Sequence, residues 1–233
     1  MAGRRRRKNL KAAALILLTL ILFAAATYVY VGRAYRERQS VEALSWAVAG
    51  QVVVVDPGHG GIDVGTRGPG GTNESEIVLA ISRHLAEFLQ QGGARVFLTR
   101  QDDSVTEGES GDDLLERVRL AQKVKADLFI SVHANAFDDR ERGAQVFFDP
   151  ASQEGRKLAE AIQAEIRRLL KNTDREALGL DAFVLRTQEI PAVIVEVGFL
   201  SNPQEEKLLA DPSYQREMAF AIYAGIASYL GGS

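Results

Sequence analysis

The spacing of apolar and polar positions along most of the chain predicts strands and helices that follow one another in turn. The continuous apolar run at residues 52–55 is typical of a strand buried on both faces. Helical spacing of apolar residues follows at 74–91, and Gly92 ends that helix. By the same reasoning, further strands are predicted at 94–99, 127–133, 144–148, 183–186 and 192–197, and further helices at 114–124, 153–171 and 214–230.

This order of elements predicts the fold class. Strands that alternate with helices indicate an α/β domain with a mostly parallel sheet. We therefore predict one three-layer domain over residues 51–231, with a twisted sheet flanked by helices. The stretch at 56–73 contains seven glycines and two prolines and is predicted to be an irregular loop.

The N-terminus carries a different pattern. Residues 12–32 are apolar and uncharged, which is long enough for a membrane-spanning helix. Basic residues dominate 1–11, so a signal-anchor with a cytoplasmic N-terminus is expected, followed by a linker at 33–50. The small residues 24–26 also fit a cleaved signal peptide, after which the protein would be secreted. In both cases the folded domain is expected outside the cytoplasm.

Charge separates the two parts of the chain. Residues 1–38 hold nine Lys or Arg and one Glu, a net charge of +8, so the rest carries −11 of the total −3. The net negative charge of residues 39–233 argues against a nucleic-acid-binding protein. The absence of cysteine excludes disulfides and thiolate metal sites.

The glycine-rich loop at 56–73 is a candidate for a phosphate-binding or metal-binding site. It lacks the spacing of a dinucleotide-binding motif and the Gly-Lys-Ser/Thr of a phosphate-binding loop. His59 follows the first strand, and His133 ends another strand. Functional side chains gather at the carboxyl ends of strands in α/β sheets, so the two histidines suggest a metal site. His84 lies within a predicted helix and is expected to be a packed or half-exposed residue.

A catalytic zinc commonly takes two histidines and a carboxylate. The residues alone leave four carboxylates open for the third position: Asp56, Asp63, Glu74 and Glu76. Asp56 could instead brace the loop.

Glu196 is unusual because it lies in an otherwise apolar strand. Carboxylates are rarely buried unless they are paired or linked to a metal. It could take a proton from a water molecule at a metal site, or it could pair with Arg186. Arg100 and Arg117 are expected to form structural ion pairs.

Four motifs in order resemble the zinc-dependent N-acetylmuramoyl-L-alanine amidases of the Amidase_3 type. They are residues 56–61, Glu74, residues 131–135 and residues 195–202. The resemblance implies zinc on His59, Glu74 and His133, with Glu196 as the catalytic carboxylate. This chain departs from the family pattern at Ser75, where a lysine is frequent. Asn135 and Arg186 could contact the substrate or a ligand, although Asn135 also fits a strand-end cap.

The resemblance implies a peptidoglycan hydrolase that cuts the amide between N-acetylmuramic acid and L-alanine. The short chain is similar to germination-specific amidases, which act in spore cortex maturation and prepare muramic lactam; general wall remodelling is the alternative. Another zinc peptidase of the wall and a non-catalytic peptidoglycan-binding protein are the rival functions. A protein activator is an expected partner. The acidic stretch at 101–113 could gate the cleft or could be a surface excursion.

Overall fold

The computed structural model describes residues 2–102 and 113–232, apart from the side chains of residues 2–15, 30, 33, 34, 36 and 113. The chain divides into two compact units, residues 1–43 and 44–233. The acidic stretch at 101–113 lies almost entirely outside the described residues, so its role as a gate stays a prediction.

The N-terminal part of the chain is one long helix, α1 (Ala2–Val48), which takes in most of the predicted linker at 33–50. Among the residues that the structure describes, no helix is long and apolar enough to cross a membrane. This finding contradicts the predicted transmembrane helix at 12–32, and the membrane as a partner is not supported.

The second unit is built around a six-stranded sheet of order β2-β1-β3-β6-β4-β5. Its strands are β1 (Val52–Pro57), β2 (Arg95–Leu98), β3 (Leu128–Asn135), β4 (Gln145–Phe148), β5 (Leu178–Gly179) and β6 (Ala192–Phe199). All neighbouring strands are parallel except β4 and β6, which are antiparallel. The predicted mostly parallel sheet is confirmed.

Helices cover both faces of this sheet. They are α2 (Glu74–Gln91), α3 (Asp113–Val124), α4 (Gln153–Leu170), α5 (Phe183–Arg186), α6 (Pro203–Leu209) and α7 (Pro212–Gly231). Helices α3 and α5 pack over the face that carries Val54, Phe129 and Ile194, while α2, α4 and α7 pack together as the other layer. A Cβ at Gly225 would lie 2.4 Å from the Cα of Ile162, so α4 and α7 cross closely there. The three-layer α/β domain is therefore confirmed.

Three elements differ from the prediction. The apolar run at 183–186 is the short helix α5 and not a strand, because periodicity does not distinguish the two in so few residues. The short strand β5 and helix α6 were not predicted. Asn202 caps α6 by accepting hydrogen bonds from the amides of Gln204 and Glu205, and Pro203 follows it. This Asn-Pro pair is a helix-start signal that could have revealed α6.

The sheet register places the candidate residues next to one another. The carboxyl ends of β1, β3 and β6 are adjacent, with Pro57 opposite Val132 and His133 opposite Glu196. Paired residues on neighbouring strands point to the same face. The site therefore lies where these three strands end.

Candidate metal centre

His59 lies directly after β1, in a backbone conformation that is rare for a residue with a side chain. The amide of Gly58 still donates to the carbonyl of Val132 at 2.9 Å, so the chain leaves the sheet alongside β3. His59 then adopts φ 58°, followed by positive φ at Gly60 and Gly61. A left-handed conformation costs a non-glycine residue energy and persists only where its surroundings hold it.

His59, Glu74 and His133 converge. One ligand atom from each lies within 4.8 Å of the others. The Oε1 of Glu74 is 3.2 Å from Nε2 of His59 and 3.1 Å from Nδ1 of His133. The two imidazole rings meet edge to face, with centroids 5.0 Å apart. The structure thus brings together the three residues that the resemblance implies as metal ligands.

Glu74 reaches this cluster because α2 starts beside the end of β3. Its Oε1 also accepts from the amide of Ala134 at 2.9 Å, and its Oε2 accepts from the amide of Thr66 at 2.9 Å. These bonds fix a carboxylate that is almost completely buried. Glu76, the nearby alternative, is exposed and accepts instead from the side-chain amide of Asn73.

The electrostatics of the cluster favour charge separation when no metal is bound. Burial would raise the pKa of Glu74, but hydrogen bonds with His133 and His59 hold it well below its ordinary value. The hydrogen bond to Glu74 raises the pKa of His59 to about 9, with a second contribution from Asp63. The cluster therefore favours a bound cation. When no metal ion is present, His59 carries a proton at neutral pH.

Glu196 faces this cluster from β6. Its Oε2 is buried and has no hydrogen-bond partner among the described residues. Burial raises its pKa to about 7, and the charge of Glu74 adds to that effect. The ion pair with Arg186 does not form: Arg186 lies on α5 and bonds Asp181 at 2.7 Å. An unpartnered carboxylate with a pKa near 7 is typical of a general acid or base.

Three other candidates have structural surroundings. Asp63 accepts from Nδ1 of His59 at 2.8 Å and orients that ring without joining the cluster. The Oδ1 of Asn135 accepts from the amide of Ala136 at 2.7 Å, which supports the strand-end role. His84 is about 15 Å along α2 from Glu74 by the helical rise, and it contacts Glu87 and Arg216.

Two sets of residues support the three converging side chains in ways that were not predicted from the sequence. Gly58 and Gly65 leave room for the ligands, since a Cβ at Gly65 would lie 2.7 Å from both Glu74 and His59. Arg100 and Arg117 donate to backbone carbonyls of the His59 loop. The glycines were visible as a cluster, but the carbonyl contacts carry no sequence signal because any residue type provides a carbonyl.

Comparison with known proteins agrees with this geometry. The Amidase_3 profile, N-acetylmuramoyl-L-alanine amidase, matches residues 53–228. The germination-specific N-acetylmuramoyl-L-alanine amidase of Bacillus subtilis is 36% identical over 96% of both chains. AmiA of Escherichia coli, also an N-acetylmuramoyl-L-alanine amidase, is 31% identical over 77% of this chain and 76% of its own.

Solved structures extend the comparison. The CwlD amidase of Clostridioides difficile, solved in complex with the GerS lipoprotein, has a TM-score of 0.76 and 37% identity over 78% of this chain and all of that chain. AmiC2 of Nostoc punctiforme has a TM-score of 0.71 and 35% identity over 78% of this chain and 99% of its own. The resemblance seen in the four sequence motifs is confirmed, and this chain belongs to the Amidase_3 family of N-acetylmuramoyl-L-alanine amidases.

Proposed function

We propose that this chain cleaves peptidoglycan with a zinc ion held by His59, Glu74 and His133. Family membership confirms the predicted peptidoglycan amidase activity, and zinc is the part that we add. The observation that carries it is the convergence of two imidazole nitrogens and one carboxylate oxygen within 4.8 Å. This donor set is the one that catalytic zinc takes while keeping a position for water or substrate.

Zinc at this position would supply Lewis-acid chemistry, lowering the pKa of water and polarising the amide carbonyl. The protein residues have separate tasks. Asp63 orients His59, and the backbone amides of Thr66 and Ala134 orient Glu74. Partners of this kind fix the direction of a ligand and its basicity.

Glu196 is the proposed proton-transfer group. Its free Oε2 accepts a proton from the attacking water, and the same oxygen then returns the proton to the leaving amine of L-alanine. A pKa raised to about 7 suits both steps, because the carboxylate is basic enough to take the proton and acidic enough to release it near neutral pH.

The bond that is cut separates the amidase from its rivals. Purified peptidoglycan digested with the zinc-loaded protein should release stem peptides with a free L-alanine amine. A new amine on any other residue would support a peptidase, and no new terminus would support a non-catalytic binding protein. If the protein binds zinc but the new amine is not on L-alanine, the proposed metal site stands and the proposed substrate bond is wrong.

The spore cortex is our proposed substrate, because the Bacillus subtilis relative named germination-specific is similar over 96% of both chains. The catalytic domain would then work outside the cytoplasm. We also propose a lipoprotein partner, since the similar CwlD was solved with GerS. Expression in a spore former that lacks its germination-specific amidase should restore muramic lactam, and cortex without the lactam would contradict this role.

Gly58→Ala should weaken zinc binding without a comparable loss of fold stability. The added Cβ would lie 2.2 Å from Cε1 and 2.5 Å from Nε2 of His133, so the imidazole must move. We expect zinc affinity to fall about 10–100-fold, the usual range when the support of a ligand is disturbed. Competition with a chelator measures this zinc affinity. Gly179→Ala is the matched control, because the three atoms nearest to its added Cβ all belong to Pro150. Equal affinities in both variants would contradict the prediction.

Zinc binding near pH 7 should release a proton. The pKa of His59 is raised to about 9, so its imidazole is protonated at pH 7 and must lose that proton to bind a metal. Titration calorimetry in buffers of different ionisation enthalpy should give heats that depend on the buffer below pH 9 and lose this dependence above it. Heats independent of the buffer at pH 7 would contradict the assignment of His59.

A further inference from the structure

Two buried arginines hold the backbone segment that carries His59. Arg117 donates from Nη1 to the carbonyl of Pro57 and from Nη2 to the carbonyl of His59, both at 2.8 Å. Arg100 donates from Nε to Pro57 at 3.1 Å and from Nη2 to Gly58 at 2.8 Å. Three successive carbonyls are therefore fixed by two guanidinium groups.

Arg100 also connects the segments that carry two of the proposed ligands. Its Nη2 donates at 2.9 Å to the carbonyl of Ser75, the residue after Glu74. A single guanidinium nitrogen thus contacts the loop before His59 and the first turn of α2. The planar guanidinium keeps these contacts in one fixed geometry, which an ammonium group does not provide.

Arg117 is itself held by a buried carboxylate. Its Nη1 lies 2.6 Å from Oδ1 of Asp56, and both side chains are 2% exposed. Asp56 also accepts from the hydroxyls of Thr99 and Ser131, both at 2.7 Å. Burial would raise the pKa of Asp56, but Arg117 and these hydroxyls hold it below its ordinary value, so the pair stays charged. The expected structural pair is present, and it leads directly to the His59 backbone.

We propose that Arg117 and Arg100 are positioning residues that set the zinc affinity of the site through the backbone of His59. The left-handed conformation of His59 at φ 58° needs an external restraint, and the two arginines bond the carbonyls of residues 57–59. Neither arginine belongs to the converging group of His59, Glu74 and His133. This inference rests on the proposed zinc site.

The test compares Arg117→Lys and Arg100→Lys with the wild-type protein. Lysine keeps the positive charge but has one side-chain nitrogen in place of the three of the guanidinium group. The hydrogen bond to the carbonyl of His59 is therefore lost in Arg117→Lys, and the one to the carbonyl of Gly58 is lost in Arg100→Lys. We expect zinc affinity, measured by chelator competition, to fall about 10–100-fold. The visible absorption of the cobalt-substituted protein should also change, because cobalt reports the geometry of its ligands.

Arg175→Lys is the matched control. Arg175 also donates to a backbone carbonyl, that of Arg142 at 3.0 Å, and it pairs with Glu141 away from the His59 loop. It should keep the zinc affinity and the cobalt spectrum of the wild type whatever its melting temperature.

The outcomes separate this inference from the proposed function. A wild-type protein that binds no zinc would overturn the proposed site itself. Tight zinc binding by the wild type, with unchanged affinity and cobalt spectrum in both lysine variants, would overturn the positioning role alone, even if their melting temperatures fall. Should Arg117→Lys fail to fold, Arg100→Lys decides by the same two measurements, because it leaves the Asp56–Arg117 pair intact.

Discussion

Glu196→Gln is expected to lower the turnover of peptidoglycan about 10²–10⁴-fold, the usual contribution of a general base, and to leave zinc bound. Glutamine keeps the shape of the side chain but accepts no proton at neutral pH. The proposed zinc ligands are other residues, so metal content should equal that of the wild type. Rate, zinc content and melting temperature should be measured on one preparation.

The stability of this variant tests the environment of Glu196 independently of activity. Its pKa rises from 4.5 to about 7 on folding, so folding disfavours its charged form. The resulting cost is absent below pH 4.5, grows between pH 4.5 and 7, and is complete above that range. Metal-free Glu196→Gln should therefore be more stable than the metal-free wild type at pH 8, by up to about 3 kcal/mol, and equal to it at pH 4.

A structural role would give the opposite result. Breaking a buried ion pair typically costs about 3–5 kcal/mol, so Glu196→Gln would then be destabilised. Glu205→Gln is a suitable comparison, because Glu205 is a buried carboxylate that accepts from the amides of Gly143 and Phe199. That variant should keep its rate and its zinc content. A zinc-loaded Glu196→Gln enzyme with a near wild-type rate would rule out the proposed mechanism.

Removing any one of the three proposed ligands should abolish both zinc binding and activity. His59→Ala, Glu74→Ala and His133→Ala each take away one of the atoms that converge within 4.8 Å. A metal bound at 1,000 times its dissociation constant stabilises a fold by about 4 kcal/mol. A chelator should therefore lower the melting temperature of the wild type and leave that of the three variants unchanged.

His84→Ala is the control for this series. His84 contacts Glu87 and Arg216 and lies outside the cluster, so the variant should retain zinc, activity and the response to the chelator. Loss of zinc from His84→Ala, or full zinc occupancy in His59→Ala, would show that the ligands are assigned wrongly.

Strong periodicity made the central elements predictable. The apolar run before Asp56 and the helical spacing at 74–91 correspond to β1 and α2. Weak or short patterns did not suffice: residues 183–186 form a short helix whose Val184 and Leu185 belong to the core cluster beside α3. Such a short segment takes its conformation from its neighbours.

The predicted transmembrane helix at the N-terminus was wrong. The uncharged stretch at 12–32 suggested a membrane span by composition alone, whereas no helix among the described residues meets the requirement for one.

The sequence by itself predicted where a metal site would form and which family the chain resembles. Two histidines at strand ends predicted the site, and an acid in an apolar strand suggested either a proton-transfer group or a structural ion pair, because residue types and strand periodicity are local properties of the chain. The tertiary structure decided which carboxylate joins the histidines and how Arg100 and Arg117 hold the His59 backbone. It also showed that Oε2 of Glu196 has no hydrogen-bond partner among the described residues. Those features depend on contacts between residues distant in sequence, and contacts to backbone carbonyls leave no trace in the order of side chains.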